Sequence, residues 1–241
     1  MNNTLIIGAS SAIAQAVATQ LKQENSSNYV VCISSKEFPT SPTSLPADLQ
    51  WWRFDYNQAS IEAVIHELKQ QGQRFNQVFI FNGQLHNTEL EPEKKLEDLN
   101  LDNLKTLFEC NTLIPAFWIS RLPSLLTKDS SKIVVLSARV GSISDNKLGG
   151  WYGYRASKAA LNMFVKTTAI ELQRKNKNAT IIAFHPGTTD SPLSKPFQKR
   201  LPEGQLRQPA DVAEGLLALC DTLTPQNTGA FYDWRAENIP W

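Results

Sequence analysis

The sequence predicts an α/β fold, a parallel β-sheet with helices packed on both faces. Three observations predict it. Short β-branched or aromatic apolar runs of strand length recur along the chain. Helical patterns alternate with them. The runs read as buried strands, which a sheet covered on both faces requires. In such a sheet ligands bind beyond the carboxyl ends of the strands.

The first run, residues 5–7, precedes a helical pattern at Ile13, Val17 and Leu21. A second run covers 29–33. The stretch 37–50 then breaks the rhythm: Pro39, Pro42 and Pro46 among Ser and Thr predict a loop in place of a crossover helix. Ile61, Val64, Ile65 and Leu68 predict a helix, 78–81 a strand, and Leu104, Phe108 and Leu113 another helix. A strand over 133–136 leads to a long helix from Tyr154 to about Arg174, and a strand over 180–184 follows. Residues 188–208 form a second break, with Pro192, Pro196 and Pro202 beside Lys195, Lys199 and Arg200. It reads equally well as a lid and as a plain surface loop. The last run covers 230–232, and no internal repeat is visible.

Composition narrows the partners. With 241 residues and 41% hydrophobic content, the chain can bury a sizeable core as one domain over 1–241, with no linker to split it. Its 24 basic and 23 acidic residues are interspersed, for a net charge of +1. That pattern excludes a nucleic-acid groove or a polybasic membrane patch and favours a small molecule. Cys32, Cys110 and Cys220 are odd in number and widely spaced, as reduced core thiols would be. The first residues lack a basic region and a long apolar run, so a soluble cytoplasmic protein is expected. His66, His86 and His185 lack paired ligand spacing, so no metal site is expected.

The most informative stretch is Tyr154-Arg-Ala-Ser-Lys158. Side chains four apart on a helix share a face, and an ammonium beside a phenol stabilises the phenolate and draws its pKa down from about 10. Tyr154 is then a candidate acid/base and Lys158 its tuner, although such a pair also occurs on ordinary solvated helices. Gly8-Ala-Ser-Ser-Ala-Ile-Ala14 joins the first strand to the first helix, where backbone N–H groups can meet a pyrophosphate. A plain turn is nearly as compatible, since Ala12 and Ala14 stand where glycine would allow closer approach. A nucleophile elbow at Ser10 is excluded, because only seven residues precede Gly8. At the end of the second strand Ser34, Ser35 and Lys36 replace the acidic residue that would bind a free ribose 2′-hydroxyl. Hydroxyls and an ammonium suit a 2′-phosphate, so NADP(H) is favoured over NAD(H).

Gly8, Asn82-Gly83, Asn111, Tyr154 with Lys158, and Pro186-Gly187 follow one another in an order that resembles the short-chain dehydrogenase/reductase family. Ala138-Arg-Val-Gly-Ser-Ile143, Gly149-Gly-Trp-Tyr-Gly-Tyr-Arg155 and residues 229–241 are most similar to its C-factor and sniffer-type carbonyl reductase branch. The resemblance implies a Rossmann-like doubly wound sheet of seven strands, a nicotinamide cofactor, and hydride transfer between it and a carbonyl or alcohol. It places Gly8, Ser10, Ser11 and Ile13 at the pyrophosphate turn, Asp55 at the adenine, and Asn82 with Gly83 at the adenosine ribose. Lys158 would hold the nicotinamide ribose, Asn111 a water linking Lys158 to solvent, and Ser191, after Pro186 and Gly187, the nicotinamide carboxamide. It also allows a homodimer or homotetramer.

Three departures bear on the chemistry. Phe81-Asn-Gly-Gln84 replaces the family's Asn-Asn-Ala-Gly. Ser191 replaces the commoner Thr. Ala138 stands where a serine normally polarises the carbonyl, and a methyl cannot donate a hydrogen bond. Ser142, just past Gly141, is the expected substitute, with Ser137 the alternative. A non-catalytic or signalling protein of the same fold is the competing reading, on Ala12, Ala14, Gln84 and Ala138.

Overall fold

A computed structural model describes residues 2–39, 45–46 and 48–241. Its centre is a seven-stranded, wholly parallel sheet in the order β3-β2-β1-β4-β5-β6-β7. The strands are β1 Asn3–Ile7, β2 Tyr29–Ser34, β3 Gln50–Arg53, β4 Gln77–Ile80, β5 Ser131–Leu136, β6 Ala179–His185 and β7 Phe231–Asp233. The helices are α1 Ala12–Glu24, α2 Gln58–Gln70, α3 Leu101–Phe108, α4 Ile114–Arg121, α5 Tyr152–Lys175 and α6 Pro209–Thr222.

Period-2 alternation splits each buried strand between two cores. Leu5, Ile7, Val31, Ile33, Val78 and Ile181 face one side, against Ile61, Val64, Trp118, Leu161 and Val165 of α2, α4 and α5. Ile6, Cys32, Phe79, Val134 and Ile182 face the other, against Val17 and Leu21 of α1 and Val212 and Leu216 of α6. Strand order reverses between β1 and β4, so the ligand crevice of a doubly wound sheet opens beyond their carboxyl ends.

Six strands match the apolar runs, and β3 is the seventh that the resemblance implied. Its Gln-Trp-Trp-Arg lies at the sheet edge with Gln50 and Arg53 exposed, so it carries no continuous apolar run. The described part of 37–50 before β3 is irregular, as expected, and Phe38 meets Trp51 edge to face at 5.5 Å. Pro42 lies outside the described residues. Helix α6 was not among the expected elements, although Pro209 in its first turn, Asp211 behind it and the spacing of Val212, Leu216 and Cys220 mark it. Residues 188–208 are folded: Thr189 bridges Arg207, and Lys195–Arg200 form a short helical turn. No described helix is long and apolar enough to cross a membrane.

Candidate active site

The turn after β1 is shaped by Gly8, at φ +80°. A Cβ there would stand 2.8 Å from the Asn82 nitrogen, so only glycine lets β1 and the end of β4 approach this closely. The Gly8 N–H is shared between the Ile33 carbonyl at 3.0 Å and the Tyr56 hydroxyl at 3.1 Å. Tyr56, pushed up to about 12 by burial, donates in turn to the same carbonyl at 3.2 Å. This residue braces the turn and was not picked out from the sequence. Ser10 and Ser11 are half-buried at the start of α1, and Ser11 stands at the N-cap without a side-chain capping bond. Ile13 belongs to the core instead: its side chain is buried among the α1 and α6 contacts, leaving only its backbone to the turn.

At the end of β2, Ser35 and Lys36 are exposed. Ser34 is buried, and its hydroxyl accepts from the Lys36 N–H at 2.9 Å, which fixes the strand end. Arg53 stands beside Ser34 in register and pairs with Glu37. Asp55 is exposed, two residues past β3.

Asn111 lies in a single π-helical turn, Glu109–Leu113, that joins α3 to α4. Such turns are frequent at functional sites. Its amide clamps Gln84, accepting from the backbone N–H at 2.7 Å and donating to the carbonyl at 2.9 Å. It also donates to Ser157 at 3.1 Å, and Ser157 donates to the Tyr154 carbonyl at 2.9 Å. The Asn111 side chain therefore anchors the β4 loop to α5, with Gly83 of that loop lying beside both Asn111 and Lys158.

Helix α5 begins under constraint. Trp151, its N-cap, has φ +54°, a strained value for a non-glycine residue. Buried Glu93 holds it there: the Trp151 N–H donates to the Glu93 carbonyl at 2.6 Å, and the Gly153 N–H donates to its carboxylate at 3.2 and 3.3 Å. A carboxylate at a helix N-terminus satisfies free donors and meets the positive end of the dipole. Tyr154 follows, in an apolar cluster with Leu85, Leu90, Leu107 and Ala138, covered by Trp151, Val140 and Phe197. Phe197 comes from the 188–208 segment and lies 5.0 Å from the Trp151 ring, so that segment packs over the cluster.

Lys158 is buried, and its ammonium donates to the Leu136 carbonyl at 2.9 Å. A Cβ on Gly83 would sit 3.3 Å from that ammonium, and one on Gly141 only 2.8 Å from the Lys158 Cβ. Burial lowers the Lys158 pKa to about 7 and pushes the Tyr154 phenol well above its usual range. The expectation that Lys158 draws Tyr154 down toward working pH is thus reversed here, because desolvation dominates and the ammonium is engaged by a carbonyl.

Ser142 is corrected as well. Its hydroxyl donates to the Pro240 carbonyl and accepts from the Asp145 N–H at 3.1 Å, so both its roles are taken up by other segments. The chain's closing segment captures it, which proximity to Gly141 did not reveal. Ser137 is also engaged, donating to Asn162 at 2.6 Å. Ala138, in contrast, lies in the Tyr154 cluster. Beyond β6, Gly187 has φ +72°, following Pro186, and Ser191 donates to the Thr189 carbonyl at 3.2 Å.

The comparisons with known proteins agree with this arrangement. Residues 2–202 match the family described as short chain dehydrogenase. The chain belongs to that family. This short chain dehydrogenase is 27% identical over 242 residues to the 1-hydroxy-2-glutathionyl-2-methyl-3-butene dehydrogenase of Rhodococcus sp., covering 100% of each chain. It is 31% identical to the C-signal protein of Myxococcus xanthus over 147 residues, 61% of this chain and 83% of that one. The NADPH-bound carbonyl reductase from chicken fatty liver shares its fold with a TM-score of 0.83 at 21% identity, over 100% of this chain and 99% of that one. The carbonyl reductase Sniffer of D. melanogaster does so at 0.81 and 16%, over 100% of each. The expected family, its carbonyl reductase likeness and the doubly wound sheet are borne out.

The residues at the crevice fit a dinucleotide. Among the described residues the Asn82 Oδ1 is buried without a hydrogen-bond partner, an unused acceptor beside the Gly8 turn. All three cysteines are free, and the described residues hold no metal-binding cluster.

The buried lysine gives a testable pH dependence. Its folded pKa lies below the unfolded value, so between about 7 and 10.5 the unfolded chain holds more protons and stability rises with pH. Below about 7 the full cost of the buried ammonium is carried. Lys158→Met is therefore expected to raise the melting temperature of the cofactor-free protein more at pH 6.5 than at pH 9.5. Equal differences at the two pH values, measured by thermal unfolding, would show that the ammonium is not desolvated.

Proposed function

We propose that this protein is an NADPH-dependent carbonyl reductase in which Tyr154 protonates the carbonyl oxygen. One observation carries the reading: Tyr154 is a phenol buried in an apolar cluster and held protonated, one helical turn from a lysine that titrates near neutrality. A protonated phenol is the form that donates. Bound reduced nicotinamide would supply a hydride to the carbonyl carbon. Tyr154 gives its proton to the oxygen, yielding the alcohol, and Lys158, on the same helix face, is the group from which the proton is restored. Gly8, Ser10 and Ser11 would hold the pyrophosphate by backbone and hydroxyl donors, Asn82 and Gly83 the adenosine ribose, Asp55 the adenine, and Lys158 the nicotinamide ribose. Pro186, Gly187 and Ser191 would flank the nicotinamide. With Ser137 and Ser142 engaged elsewhere, Tyr154 acts as the sole side-chain donor to the oxygen.

The names of relatives support oxidoreductase chemistry in both directions. Beside the dehydrogenase of Rhodococcus sp. stands the benzil reductase of Bacillus subtilis, 24% identical over 95% of this chain. A signalling role for the same fold is the competing reading, favoured by Ala138 and by the likeness to C-signal. A carbonyl panel assayed by NADPH consumption tests the choice. Tyr154→Phe is expected to lower turnover by at least about 10²-fold with fold and cofactor binding intact, and Ala138→Ser to raise it by adding a second donor. Near-normal turnover in Tyr154→Phe removes the assignment.

The preference for NADPH rests on Ser35 and Lys36, which follow directly on Ser34, the residue in register with Arg53. NADPH is expected to bind more tightly than NADH, and Lys36→Ala to lose about 10-fold or more of that preference, the worth of one charged hydrogen bond. Titration with both cofactors decides it, and equal affinities in the unmodified protein reject the clamp.

A further inference from the structure

A cavity of about 320 Å³ at the carboxyl ends of β6 and β7 is lined by Arg139, His185, Arg207, Asp233, Arg235 and Glu237. Three guanidiniums face two carboxylates there. Asp233 is already saturated: Arg139 donates to one oxygen at 2.9 Å, and the Arg235 and Glu237 N–H groups donate to the other at 2.9 and 3.1 Å. Arg139 also meets Asp145 at 3.5 Å. Exposed Glu237 is the remaining carboxylate of the wall.

Arg207 and Arg235 have no ion pair among the described residues, and both guanidiniums stack on the Trp234 ring. Two cations sharing one ring repel, and the proximity of Arg235 is one cause of the lowered Arg207 pKa, after its partial burial. The His185 Nδ1 is buried without a hydrogen-bond partner among the described residues. Burial, then Arg139, lowers the His185 pKa to about 4, so this imidazole is neutral at working pH. Crowded cations beside an unpartnered buried nitrogen are stabilised by an anion that accepts from all three.

We propose that the cavity is a carboxylate subsite for the substrate, in which Arg207 and Arg235 grip a carboxylate and the His185 Nδ1 donates to it. The inference rests on the carbonyl reductase reading for its substrate and deepens it. Two connections tie the cavity to the reacting centre. Arg139 directly follows Ala138, which packs in the Tyr154 cluster, and Gly187 forms part of the cavity wall. A substrate with its carbonyl at Tyr154 would then run an apolar body along Val140 and Trp151 and end in a carboxylate at the arginines. Nothing in the Tyr154 cluster itself offers a charge to such a group. The substrate class is an apolar carbonyl compound that carries a carboxylate.

The test compares 4-formylbenzoate with benzaldehyde as substrates, with NADPH consumption as the readout. The unmodified protein is expected to favour the carboxylated aldehyde in kcat/KM by at least about 10-fold, and Arg235→Ala or Arg207→Ala to cut that ratio by a similar factor. Thermal unfolding checks that both variants remain folded. Calorimetric titration with terephthalate reads the cavity independently of turnover, with at least about 10-fold weaker binding expected in Arg235→Ala. If neither aldehyde is reduced but that binding difference is found, the subsite stands while the reductase reading falls. The proposal is overturned if the unmodified protein shows no preference and binds terephthalate no better than the variants do. It is equally overturned if Arg235→Ala weakens NADPH binding and leaves the aldehyde ratio unchanged, since the arginines would then serve the cofactor's phosphates.

Discussion

The buried ammonium of Lys158 is the point on which the rest of the site is built. It reaches the carbonyl of Leu136 at the end of β5, lies against Gly83 beyond β4, and has Gly141 pressed onto its Cβ. Three segments can meet there only because two of them lack a side chain at the contact. The lysine stem also packs within α5, whose Leu161, Val165 and Ala169 continue into the core beneath the sheet. The candidate acid, its lysine neighbour and part of the core thus share one helix.

The same burial sets the protonation of the pair. Desolvation acts oppositely on an acid that ionises to an anion and on a cation that loses its proton. It keeps Tyr154 protonated while making Lys158 easier to deprotonate. A phenol of raised pKa is populated in its protonated form, at the cost of being a weaker acid. The substitution of Ala138 for a hydroxyl reinforces this, because it leaves Tyr154 among apolar neighbours. Glu93 adds the positional half of the argument. By capping α5 it holds Trp151 in a left-handed conformation, and the strain there is compensated by hydrogen bonds that fix the turn just before Tyr154.

Much of the fold was legible in the sequence because doubly buried strands leave continuous apolar runs, and motif order supplied the family. The features that escaped have physical reasons. β3 is an edge strand with polar ends, so its apolar signal reduces to Trp51 and Trp52. Ser142 sits close in sequence to the expected place but is captured by Pro240, nearly a hundred residues later. Asn111 was picked out by motif order alone, whereas its partners at Gln84 and Ser157 come from two other segments. Glu93 lies in an irregular, charge-rich stretch where a carboxylate reads as solvated, and only the fold brings it to a helix terminus. Contacts between distant segments are what one-dimensional patterns do not encode.

The distribution of charge around the site follows from that geometry. An apolar pocket around Tyr154 excludes water and strengthens any hydrogen bond made inside it, but it offers no charged group by which a substrate could be oriented. Orientation must come from the pocket's margins. The described cations at the β6 and β7 ends are arranged unevenly: Arg139 is neutralised by Asp233 and Asp145, while Arg207 and Arg235 share an indole without a carboxylate partner. Arg139, whose chain neighbour Ala138 lies in the Tyr154 cluster, is the neutralised one, and Arg207 and Arg235 keep their charge where solvent lowers the cost. If the proposed function holds, a polar anchor at the rim would fix one end of a substrate while its other end meets the dry centre at Tyr154.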